Sequence, residues 1–428
     1  MFQTFRNAWK IPELKNRLLF TLAILVVYRL GCAIPVPFVT SSALTQMFSN
    51  GNMLAYLDMM SGGALSRCTL FALGVTPYIN ASIIVQLLTV AIPSLENIAK
   101  EPDGQQKLQQ ITRYAGGIIA LIMSLGYYFV VRNMGALKYT SGAAGIFTAV
   151  VIIATFTAGA QLITWCGEQI DDKGIGNGIS LLIFAGIVSN LFNGITGNIY
   201  TAVANGPTTA WLSVLVILLM LVVMTFAVTY VDLGERRIPL QISKQVKGRR
   251  VYGGQNTHMT LKVVSVGVLP LIFAYSLLAF PGTIGALVAP NSGFTAWCNA
   301  YLSSGSWVFM ILSALLFVGF TFFYSSISFD PNKQAKQLME QGATIPGQRG
   351  KNIRDYLART TNRLNLFAAL FLAVLAVIPT LLTSWVTNLP FAASSILIAV
   401  SVSLETMRTV EGELSIRGIE TDKDNGFM

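Results

Sequence analysis

The chain has 428 residues, of which 53% are hydrophobic and 11% charged, against roughly 25% charged in a soluble globular domain. With 37 glycines, 15 prolines and a mean hydropathy of +0.61, the composition excludes disordered, collagen-like and coiled-coil classes and leaves a polytopic membrane protein. The 29 basic and 19 acidic residues give a formal charge of +10, and the placement of that excess decides which partners it implies.

A helix that crosses ~30 Å of hydrocarbon needs ~20 mainly apolar residues. Ten windows qualify: 18–35, 69–93, 114–131, 145–166, 177–195, 210–231, 264–283, 306–326, 365–385 and 390–407. Helices are predicted rather than barrel strands, because barrel strands would show as short alternating segments. The first window lacks a small-residue cleavage site and is flanked by Arg17 and Arg29, so it reads as a retained helix with Arg29 snorkelling outward. Residues 36–68 are long, mildly apolar and glycine-bearing, which predicts a short helix near 55–67 folded back into the membrane. Gly74 and Pro77 interrupt the second window, Gly267 and Pro270 the seventh and Pro379 the ninth. Such breaks border central paths in transport proteins, although both residue types are also common in ordinary membrane helices. Asn80-Ala-Ser82 matches a glycosylation acceptor but falls inside a span, where that modification is excluded. Gly174-Ile-Gly-Asn-Gly178 lacks dinucleotide-binding spacing and reads as a flexible lead into the fifth span.

Two loops, 232–263 and 327–364, separate spans six from seven and eight from nine. Their length without a strong hydrophobic pattern marks them as functional or disordered. The sole histidine, His258, reads as a solvated side chain in a polar stretch of the first loop. Glu405 and Arg408, at the end of the last span, are spaced for a helical pair. Threading the ten spans leaves all but four of the 29 basic residues on one side, the exceptions being Arg29, Arg67, Arg132 and Lys138. That side is predicted to be cytoplasmic and to hold both termini.

The four cysteines, Cys32, Cys68, Cys166 and Cys298, lie in or beside apolar stretches without a Cys-x-x-Cys, so neither a disulfide framework nor a metal site is expected. Phosphate-loop, His-Glu-x-x-His and Gly-x-Ser-x-Gly motifs are missing, which argues against a nucleotide engine or an enzyme. Ionisable residues are nearly absent from mid-span positions, against what ion-coupled transport requires. An aliphatic constriction, by contrast, gates by dewetting and needs no charge. A small-solute transporter is the competing reading: interrupted helices favour it and the missing midplane charges disfavour it. Ten spans also permit two inverted sets of five, without a visible residue-level repeat.

Ser61-Gly-Gly-Ala-Leu-Ser-Arg67 followed by Phe71-Ala-Leu-Gly-Val-Thr-Pro-Tyr-Ile-Asn-Ala-Ser-Ile-Ile-Val-Gln-Leu-Leu88 resembles the plug and second helix of the SecY family of protein-translocation channels. Four further stretches match in order: Tyr28-Arg-Leu-Gly with Ile34-Pro-Val-Pro37, Gly174-Ile-Gly-Asn-Gly-Ile-Ser180, Gly248-Arg-Arg-Val-Tyr252 with Leu261-Lys-Val-Val264, and Ile345-Pro-Gly-Gln-Arg349. The resemblance implies an all-α polytopic membrane protein whose ten transmembrane helices form two five-helix, pseudo-symmetric halves, 1–205 and 206–428. These close as a clamshell around a central hourglass pore. It implies a pore ring of Val75, Ile79, Ile179, Ile183, Ile272 and Ile398, with Val75 where the family usually has isoleucine. The plug would comprise Leu57, Asp58, Ser61, Gly62, Gly63 and Ala64, its glycines suited to a hinge. Spans two and seven would form a lateral gate with Asn80 as a polar contact. Arg249, Arg250 and Arg349 would dock a ribosome or a SecA-type motor ATPase, since arginine suits both RNA phosphates and carboxylates. The tail beyond Arg417 is short and mixed in sign, so no basic C-terminal ribosome contact is expected. Other implied partners are SecE-like and SecG-like small membrane subunits, secretory and membrane-protein substrates, and the lipid bilayer. The implied role is a passive polypeptide conduit in the plasma (inner) membrane, with no catalytic residue and no cofactor.

Overall fold

The computed structural model describes residues 2–40, 58, 61–101, 103–133, 135–205, 208–242, 245–247, 250–252, 256–264, 269–288, 292–302, 306–347, 351–383 and 393–417. The chain opens with α1 (Phe2–Lys10) and α2 (Pro12–Gly31). A turn-rich stretch, 61–75, leads into α3 (Thr76–Ala91), α4 (Pro93–Lys100), α5 (Gly104–Asn133), α6 (Gly142–Lys173), α7 (Gly178–Asn205) and α8 (Thr208–Asp232). Four strands follow: β1 (Glu235–Ile242), β2 (Gln245–Lys247), β3 (Arg250–Tyr252) and β4 (Asn256–Lys262). The remainder is α9 (Leu269–Val288), α10 (Gly293–Tyr301), α11 (Trp307–Ser328), α12 (Pro331–Glu340), β5 (Ala343–Thr344), α13 (Lys351–Thr383) and α14 (Ala393–Ile416).

The ten predicted windows fall on α2, α3, α5, α6, α7, α8, α9, α11, α13 and α14. Among the described residues, five helical stretches are long and apolar enough to cross a membrane, or six if α3 and α4 count as one bent span. The protein is therefore a multi-pass membrane protein. α3 and α4 meet at 105°, because Pro93 cannot continue the preceding helix.

The prolines expected to break spans two and seven instead start them. Pro77 and Pro270 sit in the first turns of α3 and α9, where the missing N–H costs nothing. Pro281 is the proline inside α9, and Pro379 lies within α13; Gly267 is outside the described residues. α6 also runs on to Lys173, so the acidic run after span four is helix rather than loop.

The link at 174–177 is tight, not flexible. A Cβ on Gly178 would lie 2.1 Å from the Gly167 carbonyl oxygen, so α6 and α7 can cross here only at a glycine. Thr21 Oγ1 accepts the Ile175 N–H at 3.1 Å, Asp171 Oδ1 accepts the Gly178 N–H at 2.7 Å, and Asn177 Oδ1 caps α7 by accepting the Ser180 N–H at 3.1 Å.

The fold is not all-α. In the loop after α8, β1 pairs antiparallel with β4 from Glu235–Lys262 to Gln241–Asn256 and with β5 along its other edge, while β2 and β3 pair with each other. The alternation of buried Ile238 and Leu240 with exposed Arg237, Pro239 and Gln241 is the period of a half-buried strand. Ile238, Leu240 and Leu261 pack on Ala335 and Leu338 of α12 and on Ile353 and Leu357 of α13. His258 consequently lies on β4, exposed and opposite Pro239, rather than in a loop.

The helices sort into two sets. α2 packs on α6 and α7, α3 on α5, α5 on α6, and α6 on α7. In the second set α9 packs on α11, α11 on α13, α13 on α14, and α14 on α8. The sets meet along two seams, one where α7 faces α8 and α14, the other where α9 faces α3 and α5, and α1 also packs on α14.

Candidate functional site

The six aliphatic residues expected to form a ring come from four helices of both sets. Val75 caps the start of α3 and accepts the Ile79 N–H at 3.0 Å. Ile179 and Ile183 are one turn apart on α7, Ile272 is on α9 and Ile398 on α14. Val75, Ile79, Ile183, Ile272 and Ile398 are between 1% and 4% exposed and share one hydrophobic cluster, with Ile179 half-buried against it. Ala64, from the expected plug, is fully buried in the same cluster.

Of the short helix predicted near 55–67, Asp58 is helical and 61–67 are a succession of turns that continues to 75, while 55–57, 59 and 60 lie outside the described residues. Gly62, Gly63 and Gly74 have φ of 73°, 79° and 55°, angles that a right-handed helix cannot hold. Backbone that is not helical survives inside a membrane only if its polar groups find partners in the protein, and here three helices supply them. The Tyr28 hydroxyl of α2 donates to the Ser61 carbonyl at 3.4 Å, Tyr127 of α5 donates to the Leu65 carbonyl at 2.6 Å, and Asn190 of α7 donates to the Asp58 carbonyl at 3.3 Å. The segment also ties to itself: Asp58 Oδ1 accepts the Ser66 N–H at 2.8 Å, and the Asp58 carbonyl accepts the Gly63 N–H at 2.9 Å. Pro35 bridges Thr69, with Val36 N–H on the Cys68 carbonyl and Leu70 N–H on the Ile34 carbonyl, both at 2.9 Å. Leu57 lies outside the described residues.

Arg29 does not snorkel outward. It turns sideways to α7, where Nη2 donates to Ser189 Oγ, and its Nη1 is buried.

Asn80 is buried on α3, which packs on α9 at the second seam. Sequence reasoning passed over a polar contact on the same seam: the Tyr324 hydroxyl of α11 donates to Gln86 Oε1 of α3. Tyr324 stacks on Phe273 of α9 with centroids 5.0 Å apart. A lone glutamine in the apolar run 83–88 was the available signal.

At the basic end, Arg250 opens β3, and Arg249 and Arg349 lie outside the described residues. The expected Glu405–Arg408 pair is replaced by a longer-range one. Arg408 Nη1 is 3.4 Å from Asp232 Oδ2, and Nη2 donates to the Asp232 carbonyl at 2.6 Å. Burial, and then Arg408, hold the nearby Lys262 ammonium of β4 below the usual lysine range, while Asp232, Glu235 and Glu405 act in the opposite direction. All four cysteines are free and buried, and no group of metal-binding residues occurs among the described residues.

This geometry matches known proteins closely. The SecY family model matches residues 69–407. The chain belongs to the SecY family. The protein translocase subunit SecY of Streptomyces griseus is 38% identical over 438 residues, covering 98% of this chain and 99% of that protein. Among solved structures, a protein-conducting channel superposes with a TM-score of 0.68 at 21% identity, covering 95% of this chain and 96% of the other. A second, described as a SecY whose plug domain stabilises the closed channel and maintains a membrane seal, gives 0.65 at 21% identity with the same coverage.

Proposed function

We infer that this chain is the channel subunit of a protein translocase, a non-enzymatic conduit for unfolded polypeptides across the membrane. The observation that carries this is the shared cluster of Val75, Ile79, Ile179, Ile183, Ile272 and Ile398 with Ala64. These aliphatic side chains come from both helix sets and lie in, or against, one large hydrophobic cluster that also holds Ala64 of the turn-rich segment. Such a waist deforms around varied side chains and closes against ions by dewetting.

In this reading 1–205 and 206–428 are the halves of a clamshell. The seam of α7 with α8 and α14 is its hinge, and the seam of α9 with α3 and α5 is its lateral gate. Leu57, Asp58, Ser61, Gly62, Gly63 and Ala64 form the plug, and Asn80 lines the gate through which signal sequences and transmembrane segments leave for lipid. The basic face is cytoplasmic and holds both termini. There Arg249, Arg250 and Arg349 dock the ribosome or a SecA-type motor ATPase, which supplies the force. SecE-like and SecG-like subunits complete the complex in the plasma membrane.

The test is reconstitution with the motor ATPase and a signal-bearing polypeptide, scored by protection of that polypeptide inside vesicles. In the same vesicles, Ile79→Ser, Ile183→Ser and deletion of 57–64 are expected to raise resting ion conductance. Unchanged conductance in all three overturns the ring and plug assignments, and solute uptake without polypeptide movement overturns the channel.

A further inference from the structure

We propose that Arg29 is a release element for the segment 61–66 that carries Gly62: a cation held without full partners while the segment is seated, and rehydrated when it lifts. The proposal rests on the reading of that segment as the plug.

Arg29 stands in the last turn of α2, two residues before the helix ends. The helix dipole favours a cation at that end, whereas burying one within a membrane segment is costly. Its Nη2 donates to Ser189 Oγ on α7. Its Nη1 is buried and has no hydrogen-bond partner among the described residues. Gly62 of the segment lies against Nη1. A Cβ on Gly62 would lie 2.6 Å from Nη1 and 3.0 Å from the Gly186 Cα of α7. Gly62 is therefore wedged between the guanidinium and α7, at a φ of 73° that disfavours any other residue.

Two opposing effects follow from this arrangement. The bonds from Tyr28 to Ser61 and from Asn190 to Asp58 hold the segment down. The unpartnered Nη1 opposes them, because an unmade hydrogen bond to a buried charged donor is unfavourable. Lifting Gly62 uncovers Nη1 and returns it to water. Ser189 keeps the guanidinium in this position by satisfying one of its nitrogens, leaving the other to drive opening.

A purely structural role and a release role predict opposite outcomes. Arg29→Met fills similar space without the charge, and Ser189→Asp keeps the charge but gives the guanidinium a carboxylate. Both are expected to slow the initiation of translocation by about tenfold, the scale of one relieved buried donor, with resting ion conductance at or below that of the parent. If Arg29 merely props the segment in place, Arg29→Met raises resting conductance, and that result overturns the proposal. Deleting 57–64 in the Arg29→Met background is expected to restore initiation, since Arg29 then has nothing to release; persistent slow initiation also overturns it. Deletion of 57–64 alone reports separately on the plug: if it leaves conductance unchanged, the plug reading fails, whatever Arg29→Met does.

Discussion

At Gly178 one methyl group decides whether α6 and α7 can cross. Its absent Cβ would meet a backbone carbonyl at 2.1 Å, and a carbonyl within a helix cannot rotate away as a side-chain tip can. Gly178→Ala is expected to destabilise the protein by about 1–3 kcal/mol, the usual range for overpacking, seen as a lower midpoint of thermal unfolding in detergent. Gly412 in α14 provides the contrast, since nothing lies within 4 Å of its missing Cβ. There, alanine is expected to be neutral or stabilising by up to about 1 kcal/mol, through helix propensity alone. A drop of equal size in both variants would show that crowding at Gly178 is not the cause.

Between elements, the junction of α8 with α14 depends on the Asp232–Arg408 pair. The Asp232 side chain is 7% exposed and that of Arg408 21%, so the two ends of the pair are not equivalent. Arg408→Ala takes the nearer cation from a buried carboxylate, leaving it Lys262, and also removes the donor to the Asp232 carbonyl, which closes the C-terminus of α8. It is expected to cost about 3 kcal/mol. Asp232→Ala is expected to cost less, because the longer arginine can reach water. Thermal unfolding of both variants measures the asymmetry, and an equal or reversed order would rule out this account.

For the whole molecule, the first and last helices are joined across the two sets at the basic face. Ala8, Leu14, Ile175, Val410 and Leu414 form a small buried cluster there, framed by ion pairs Arg17–Glu413 at 3.2 Å and Arg417–Glu13 at 2.7 Å. The ion pairs are partly to largely exposed, and such pairs contribute roughly 0–1 kcal/mol. Leu414 is fully buried, and its truncation to alanine belongs in the range of about 2–5 kcal/mol. Leu414→Ala is therefore expected to lower the unfolding temperature well beyond Arg417→Ala, with high salt affecting only the ion pairs. A larger loss in Arg417→Ala would mean that electrostatics, not packing, join the two helix sets here.

The sequence alone determined the membrane class and ten apolar windows, each of which falls on a helix. Each of these depends on the local balance between apolar side chains and lipid, which a window of about twenty residues already contains. Val75, Ile79 and Asn80 were named from the consecutive motif at 71–88, and the structure buries all three. The strands after α8 were half legible: the alternation at Ile238 and Leu240 was present, but within a loop judged by its length. What only the tertiary structure decided was the choice of polar partners. Arg408 faces both Glu405, three residues away, and Asp232, 176 positions away, and it bonds Asp232 because helix packing brings that carboxylate into reach. The link from Tyr324 to Gln86 spans 238 positions. Arg29 turned inward rather than outward for the same reason. In a membrane a buried polar group must bond whatever the packing places beside it, and no local pattern specifies that neighbour.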